Sequence, residues 1–226
     1  MNYTFLLLKR QWGRYNRSMF GAYELKDIII FLGVLLVSTS FHELMHALVA
    51  YKLGDDLAHS HGRISLNPLA HIDPFLTVAL PLLLLLLGAQ PILAAKPVPV
   101  NSMRLKWDEY GMALVGVAGP LTNLVIAIVV GGILRATELS GLTYDILVTA
   151  FQLNIALFVF NMIPFPPLDG SRVLYAFAPE SVQRVMQQIE SYGIFAIIIV
   201  MSFLLPVINP ILINIEEALA KLIIGL

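Results

Sequence analysis

The chain has 226 residues, of which 58% are hydrophobic and 13% charged, and its formal net charge is −1. Ordinary globular domains carry about 25% charged residues, so the composition predicts a single integral-membrane domain surrounded by lipid. The net charge gives no indication of a nucleic-acid partner, and none is expected. Cysteine is absent, which excludes disulfides, thiolate nucleophiles and cysteine-ligated zinc. Any metal site must therefore use His, Asp and Glu.

The N-terminal segment, residues 1–26, mixes basic and aromatic side chains such as Trp12, Arg14 and Tyr15. Side chains of these types favour the headgroup region of a bilayer, and the segment is predicted to be interfacial. An apolar stretch of about 27–53 follows and ends at Gly54. It is long enough to be the first spanning helix.

This first helix contains the pattern H-E-x-x-H, formed by His42, Glu43 and His46. Histidines four residues apart share one helix face and can grip one zinc ion. Glu43 would lie beside the metal and take a proton from a water that the metal activates. The alternative is two helix histidines flanking a solvated glutamate. An apolar helix argues against it, because a charged group there costs about 2.5–3.5 kcal/mol and usually has a function.

A polar segment, residues 55–74, contains three further histidines, His59, His61 and His71. They could form a second metal site or move protons, but ordinary hydrogen-bonded loop histidines are the simpler interpretation. The next segment, residues 75–95, is apolar and is interrupted by prolines and a glycine.

The second spanning helix is predicted at about 111–134 and carries Ala118-Gly119-Pro120-Leu121-Thr122-Asn123. Small residues there permit close helix packing around a buried Asn123. The third spanning helix, about 145–163, is followed by a proline-rich turn that contains Asp169. A catalytic zinc usually takes three protein ligands and keeps one position for water. Asp169 is the candidate third ligand, with an ordinary turn as the alternative.

The three motifs together resemble those of the site-2 protease family of intramembrane zinc metalloproteases. They are His42-Glu43-x-x-His46, Ala118-Gly119-Pro120-x-x-Asn123 and Asn161-x-x-Pro164-x-x-x-Leu168-Asp169-Gly170. The similarity spans residues 42–170 and fits a compact, short-chain branch without a PDZ or CBS domain. The apolar segment 75–95 is a departure from the smallest members.

The resemblance implies one catalytic zinc, with His42, His46 and Asp169 as ligands and Glu43 as the catalytic carboxylate. It also implies that Asn161 and Pro164 support the site. Asn123 and Asn161 are candidates for binding an exposed strand of substrate backbone, or alternatively for a helix–helix hydrogen bond. The motif glycines Gly119 and Gly170 are counted with these supporting residues. The expected substrate is the membrane-spanning segment of a single-pass protein.

The zinc site also constrains the topology. For His46 and Asp169 to share an ion through bonds of about 2.0–2.2 Å, the first and third helices must end at the same depth. The number of crossings between 54 and 169 must then be even, and the helices 111–134 and 145–163 already supply two. Residues 75–95 are therefore predicted to be a re-entrant hairpin, although their length alone would favour a spanning helix.

The predicted fold is thus an all-α polytopic membrane protein. Its core motifs occupy 27–172, and C-terminal helices occupy 179–226, where Pro206 closes the apolar run 191–205. The loops 55–74, 96–110 and 166–190 would share one side of the membrane.

Counted with Lys52, that side holds seven basic residues, against five in the N-terminal segment plus Arg135 on the other. This difference is too small to set the orientation. The resemblance places the protein in the cell membrane with its active site toward the cytosol. The competing functions are a zinc or other cation transporter and a metal hydrolase of a non-peptide substrate.

Overall fold

The structure is a computed structural model that describes residues 24–67, 98–193, 195–196 and 200–225. Within these residues every regular element is helical, which confirms the predicted all-α class. The predicted hairpin 75–95, His71 and nearly all of the N-terminal segment lie outside the described residues. The elements in chain order are α1 (Leu25–Lys52), α2 (Leu57–Ser60), a 3₁₀ turn (Ser102–Arg104), α3 (Asp108–Ala136), α4 (Gly141–Asn161), α5 (Gly170–Phe177), α6 (Glu180–Ser191), a π-helical turn (Val200–Leu204) and α7 (Leu205–Ile224).

Three of the described helices, α1, α3 and α4, are long and apolar enough to cross a membrane. Each begins and ends within four residues of its predicted bounds, and Gly54, with φ +109°, follows the end of α1 as expected. Large apolar side chains such as Ile29, Val37 and Val125 are exposed on their outer faces. These faces are suited to contact with lipid, which does not penalise exposed hydrocarbon as water does.

Helices α1 and α4 run in the same direction across the bundle. At one end, Lys26 Nζ in the first turn of α1 lies 2.6 Å from Asp145 Oδ2 in the first turns of α4. At the other end, His42 of α1 meets Asp169, which lies just beyond the end of α4. The two helices must share a direction if His46 and Asp169 are to bind the same ion, as the sequence analysis predicts. Helix α3 lies between them in the chain and returns in the opposite direction.

Small residues on α3 allow the three helices to pack closely. A Cβ atom at Gly131 would come within 2.8 Å of the Phe151 ring of α4. The buried apolar core on this side of the bundle combines α3 and α4 with α7, which contributes Leu212 and Ala220. The predicted C-terminal helix therefore packs against the spanning helices along part of its length.

Two sequence predictions are corrected by the structure. The first part of the segment 166–190, predicted as a loop, contains α5, whereas α6 falls within 179–226, where C-terminal helices are predicted. Pro206 does not close the preceding apolar run, because a π-helical turn leads directly into α7 and Pro206 lies in the first turn of that helix. A proline is tolerated there because the first backbone N–H groups of a helix have no intrahelical acceptor.

The described residues that flank positions 68–97 contact each other beside the end of α1. Leu53 O accepts a hydrogen bond of 2.8 Å from Lys106 N, and Arg104 pairs with Asp56 at 2.6 Å. The fully buried carboxylate of Asp55 accepts from Asn101 N at 2.6 Å. The chain thus leaves α1 and enters α3 on the same side of the bundle, as the crossing argument requires. The re-entrant hairpin itself stays a prediction.

Cysteine labelling tests this topology without background, because the chain has no native cysteine. We expect Ser60→Cys and Met103→Cys, both exposed positions, to react with a membrane-impermeant maleimide from the same side of sealed vesicles. Glu138→Cys, in the exposed turn between α3 and α4, should react only from the opposite side. Labelling of the first two variants from opposite sides would contradict the topology.

Candidate metal centre

The structure brings together the three residues that the sequence predicts as metal ligands. His42 and His46 lie one turn apart on the buried face of α1, and Asp169 lies at the N-terminus of α5. The Nε2 atoms of the two histidines are 3.0 Å apart. Asp169 Oδ2 lies 3.0 Å from Nε2 of His42 and 3.3 Å from Nε2 of His46. Among the described residues this is the one group of three or more His, Asp or Glu side chains close enough to hold an ion.

The other ring nitrogen of each histidine faces a carbonyl oxygen. His46 Nδ1 lies 2.7 Å from the backbone oxygen of Val115, and His42 Nδ1 lies 2.6 Å from Oδ1 of Asn123. A carbonyl oxygen can only accept a hydrogen bond, so each Nδ1 must carry the proton and donate it. In a neutral imidazole with Nδ1 protonated, Nε2 presents a lone pair.

Two imidazole lone pairs and a carboxylate oxygen therefore converge on one point. They repel one another unless a cation lies between them. Zinc bonds of about 2.0–2.1 Å at tetrahedral angles place neighbouring ligand atoms ~3.3 Å apart, close to the separations of His42, His46 and Asp169. Metal-bound histidines also typically donate their second ring N–H to an oxygen acceptor. The donor set fits a zinc ion held by three protein ligands.

The Asp169 carboxylate is held against the end of α4 by Gly170. A Cβ atom at Gly170 would collide with the backbone of Met162 and Ile163. Any residue other than glycine at this position would therefore push the turn that carries Asp169 away from the end of α4. A cis peptide bond between Pro166 and Pro167 precedes it. The Asp169 Oδ2 atom is held close to the point where the two Nε2 atoms converge.

Gly119 of α3 lies directly against the two imidazoles. A Cβ atom at this position would come within 2.6 Å of His42 Nε2 and closer still to His46 Nε2. The neighbouring Pro120 lies inside α3 and lacks the N–H that would bond to the carbonyl four residues earlier. The carbonyl that loses its intrahelical donor in this way is that of Gly116.

The remaining predicted residues lie in different surroundings. Glu43 is half-buried and adjoins His42 on α1. Asn161 Nδ2 donates to Leu157 O within its own helix, at 2.9 Å, and Pro164 lies in the turn that leads to Asp169. His59 and His61 are exposed on and beside α2.

His59 stacks with Tyr51 at 5.0 Å between ring centroids, and His61 Nδ1 lies 2.8 Å from Leu57 O. They form no second metal cluster within the described residues. The backbone hydrogen bond of His61 fits the simpler interpretation of a hydrogen-bonded loop histidine.

Sequence reasoning missed two residues that extend the site. Asn123 Nδ2 donates to Asn154 Oδ1 at 2.8 Å, and Asn154 Nδ2 donates to Ser38 Oγ at 2.9 Å and to Ala150 O at 2.8 Å. Both Asn residues and Ser38 are buried. The available signal was an asparagine in the middle of the third apolar helix, where a polar amide must find partners.

The cluster lies well inside the helical bundle. His42 is ten residues and His46 six residues from Lys52, the charged end of α1, which corresponds to about 15 Å and about 9 Å along the helix axis. A bundle of three spanning helices with a His-His-Asp cluster and an adjacent glutamate at this depth defines a membrane metallohydrolase.

Comparisons with known proteins identify the class further. Residues 135–205 match the model of Peptidase family M50. The chain is 39% identical over 177 residues to "Putative zinc metalloprotease YwhC" of Bacillus subtilis, covering 73% of this chain and 76% of YwhC. It is 33% identical to "Putative zinc metalloprotease MJ0611" of Methanocaldococcus jannaschii, covering 66% and 72%. It is 28% identical to "Putative zinc metalloprotease Rip2" of Mycolicibacterium smegmatis, covering 77% and 66%. No solved structure matches the chain.

The chain belongs to peptidase family M50, the site-2 protease family. It is a membrane-embedded zinc metalloprotease, and the predicted family and cofactor are confirmed. The alternatives of a cation transporter and of a hydrolase acting on non-peptide substrates lose their support.

A pair of glycine substitutions on α3 tests the close approach to the imidazoles. We expect Gly119→Ala to lose most of its bound zinc, because the added methyl group would displace both ring nitrogens. Gly132→Ala is the matched control: nothing lies within 4 Å of its Cβ position, and alanine is favoured over glycine in a helix by roughly 0.5–1 kcal/mol. Elemental analysis of the purified variants measures zinc content. A fully loaded Gly119→Ala variant would contradict the packing.

Proposed function

We propose that this protease hydrolyses peptide bonds within membrane-spanning segments of other, single-pass membrane proteins. The observation that carries the proposal is the depth of the site. The two histidines of the cluster lie about 15 Å and about 9 Å along the helix axis from the charged end of α1, between helices whose outer faces are apolar. A substrate that is itself a membrane-spanning helix can deliver a peptide bond to this depth.

His42, His46 and Asp169 would hold the zinc ion, and the two imidazoles are already oriented for this by their Nδ1–H bonds. Zinc, when bound, supplies Lewis-acid polarisation of the scissile carbonyl and activation of water. The protein supplies three convergent ligand atoms and a helical wall that limits the approach of other groups. Catalytic zinc sites with three protein ligands leave a fourth coordination position for water or substrate.

Glu43 is proposed as the general base. It follows His42 directly on α1 and is half-buried at the same level. Its carboxylate would accept a proton from the attacking water and pass one to the leaving amine. Substrate backbone must be unwound for this, because helix carbonyls are occupied by i→i−4 hydrogen bonds. We assign Asn161 and Pro164, at the end of α4, to supporting or binding the unwound strand.

We further propose that residues 1–226 form a single protease domain and that the α2 end of α1 faces the cytosol in the cell membrane. The near balance of basic residues on the two sides leaves the positive-inside rule undecided. The proposed orientation therefore rests on family resemblance.

Reconstituted protein tests the proposed chemistry directly. We expect wild-type protein in lipid nanodiscs to cleave a single-pass substrate and to stop when a zinc chelator is added. Glu43→Gln should retain zinc but lose activity by about 10²–10⁴-fold, because the ligands remain and the base is gone. His46→Ala should lose both zinc and activity. Glu109→Gln, an exposed position in the first turn of α3, is the control and should match wild type.

The substrate class is tested separately with two peptides of identical cleavage sequence. One carries the sequence inside a spanning helix and the other is water-soluble. We expect cleavage of the spanning form to be strongly preferred. Equal rates on both peptides would contradict intramembrane cleavage while leaving the metalloprotease assignment intact. Full activity of Glu43→Gln would overturn the assigned role of that carboxylate.

A further inference from the structure

The hydrogen-bonded chain behind His42 joins all three spanning helices. It runs from His42 Nδ1 on α1 to Asn123 on α3, then to Asn154 on α4, and returns to Ser38 on α1. The four donor–acceptor distances along it, including Asn154 Nδ2 to Ala150 O, lie between 2.6 and 2.9 Å. Asn123 and Asn154 are fully buried. A hydrogen bond that only joined two helices would not require so many linked polar side chains.

The direction of the chain is set at its far end. Ala150 O is a backbone carbonyl and can only accept, so the atom of Asn154 that faces it must be Nδ2. This turns Asn154 Oδ1 toward Asn123, which must then present its own Nδ2. Oδ1 of Asn123 is consequently directed at His42. Each amide has one donor end and one acceptor end, so fixing one amide fixes the next.

We propose that Asn154 is a positioning residue for the metal site and that it acts on His42 through Asn123. Together they form an amide relay, consisting of Asn123 and Asn154, that holds the His42 proton on Nδ1 and leaves Nε2 free to bind zinc. If Asn123 were reversed, its Nδ2 would face His42 and favour the proton on Nε2, where it blocks metal binding. The inference rests on the proposed zinc ligation by His42.

His46 provides an internal comparison. Its Nδ1 donates directly to the Val115 carbonyl, which cannot reverse. Both histidines are therefore fixed by backbone carbonyls, one directly and the other through two asparagines. Loss of the relay should affect His42 and leave the orientation of His46 unchanged. This asymmetry separates a positioning role from general loss of packing.

Substitutions along the relay give distinct expected effects on zinc affinity. Asn123→Leu keeps the branched outline of the side chain but removes the acceptor, and should weaken zinc binding by about 10–100-fold. Asn154→Leu frees Asn123 to reverse and should weaken binding by a smaller factor. Asn123→Asp retains an oxygen acceptor for His42 and should keep the zinc affinity within a few-fold, even where its buried charge lowers the melting temperature.

The matched control is Thr122→Val, next to Asn123 on α3. Thr122 Oγ1 donates to Ala118 O within its own helix, at 2.8 Å, and takes no part in the relay. The substitution is nearly isosteric and removes one part-buried hydrogen bond within α3. Thr122→Val should bind zinc as wild type does.

Two measurements on the intact protein in detergent test the relay. Competition with a chromogenic chelator gives the zinc dissociation constant of each variant. Proton spectra of the cobalt-substituted protein should show two exchangeable, hyperfine-shifted ring N–H signals, one for each histidine. We expect Asn154→Leu to broaden or lose one of them, through faster exchange at His42, and to retain the other.

The outcomes are distinguishable. Wild-type zinc affinity and two unchanged N–H signals in both leucine variants would overturn the relay alone. Equal losses of affinity in Asn123→Asp and Asn123→Leu would also overturn it, because packing rather than the acceptor would then decide binding. If wild-type protein and His42→Ala bind zinc equally, the proposed ligation fails and the relay fails with it.

Discussion

The structure depends on the convergence of three electron-pair donors at one point inside an apolar bundle. Nε2 of His42, Nε2 of His46 and Oδ2 of Asp169 lie 3.0–3.3 Å from one another. In a medium of low dielectric constant such an arrangement is unfavourable without a cation, and strongly favourable with one. The direction of the helices, the small residues of α3 and the turn before α5 all serve to bring these atoms together.

The bundle achieves this convergence with glycines, which have no side chain, at the points of closest contact. Gly119 admits the two imidazoles against α3, and Gly170 admits the aspartate turn against the end of α4. Gly116 similarly lies against Arg172 and the backbone of Asp169, which brings α5 onto α3. Membrane helices gain little from the hydrophobic effect when they associate, so close packing at small residues is a main source of their cohesion. The same contacts that hold the bundle together therefore shape the metal centre.

Much of this was accessible from sequence. The three spanning helices follow from hydrophobic length, and the pair His42 and His46 follows from helical periodicity. The parallel direction of α1 and α4 follows from requiring His46 and Asp169 to share an ion. Helix α5 was missed because its eight residues are too few for helical periodicity to be recognised in the sequence. Asn154 was missed because one amide in an apolar helix does not reveal which neighbour it faces.

The two histidines differ in what their orientation requires of the fold. His46 depends on a single contact between α1 and α3, the hydrogen bond to the backbone carbonyl of Val115. His42 depends on α1, α3 and α4 together, because each amide of its relay belongs to a different helix. A buried polar group is costly unless every member of its network is satisfied. Correct packing of all three helices therefore satisfies the relay and, in the same arrangement, leaves His42 Nε2 free; a misplaced α4 would disturb both. The geometry of the metal centre therefore depends on the correct assembly of all three spanning helices.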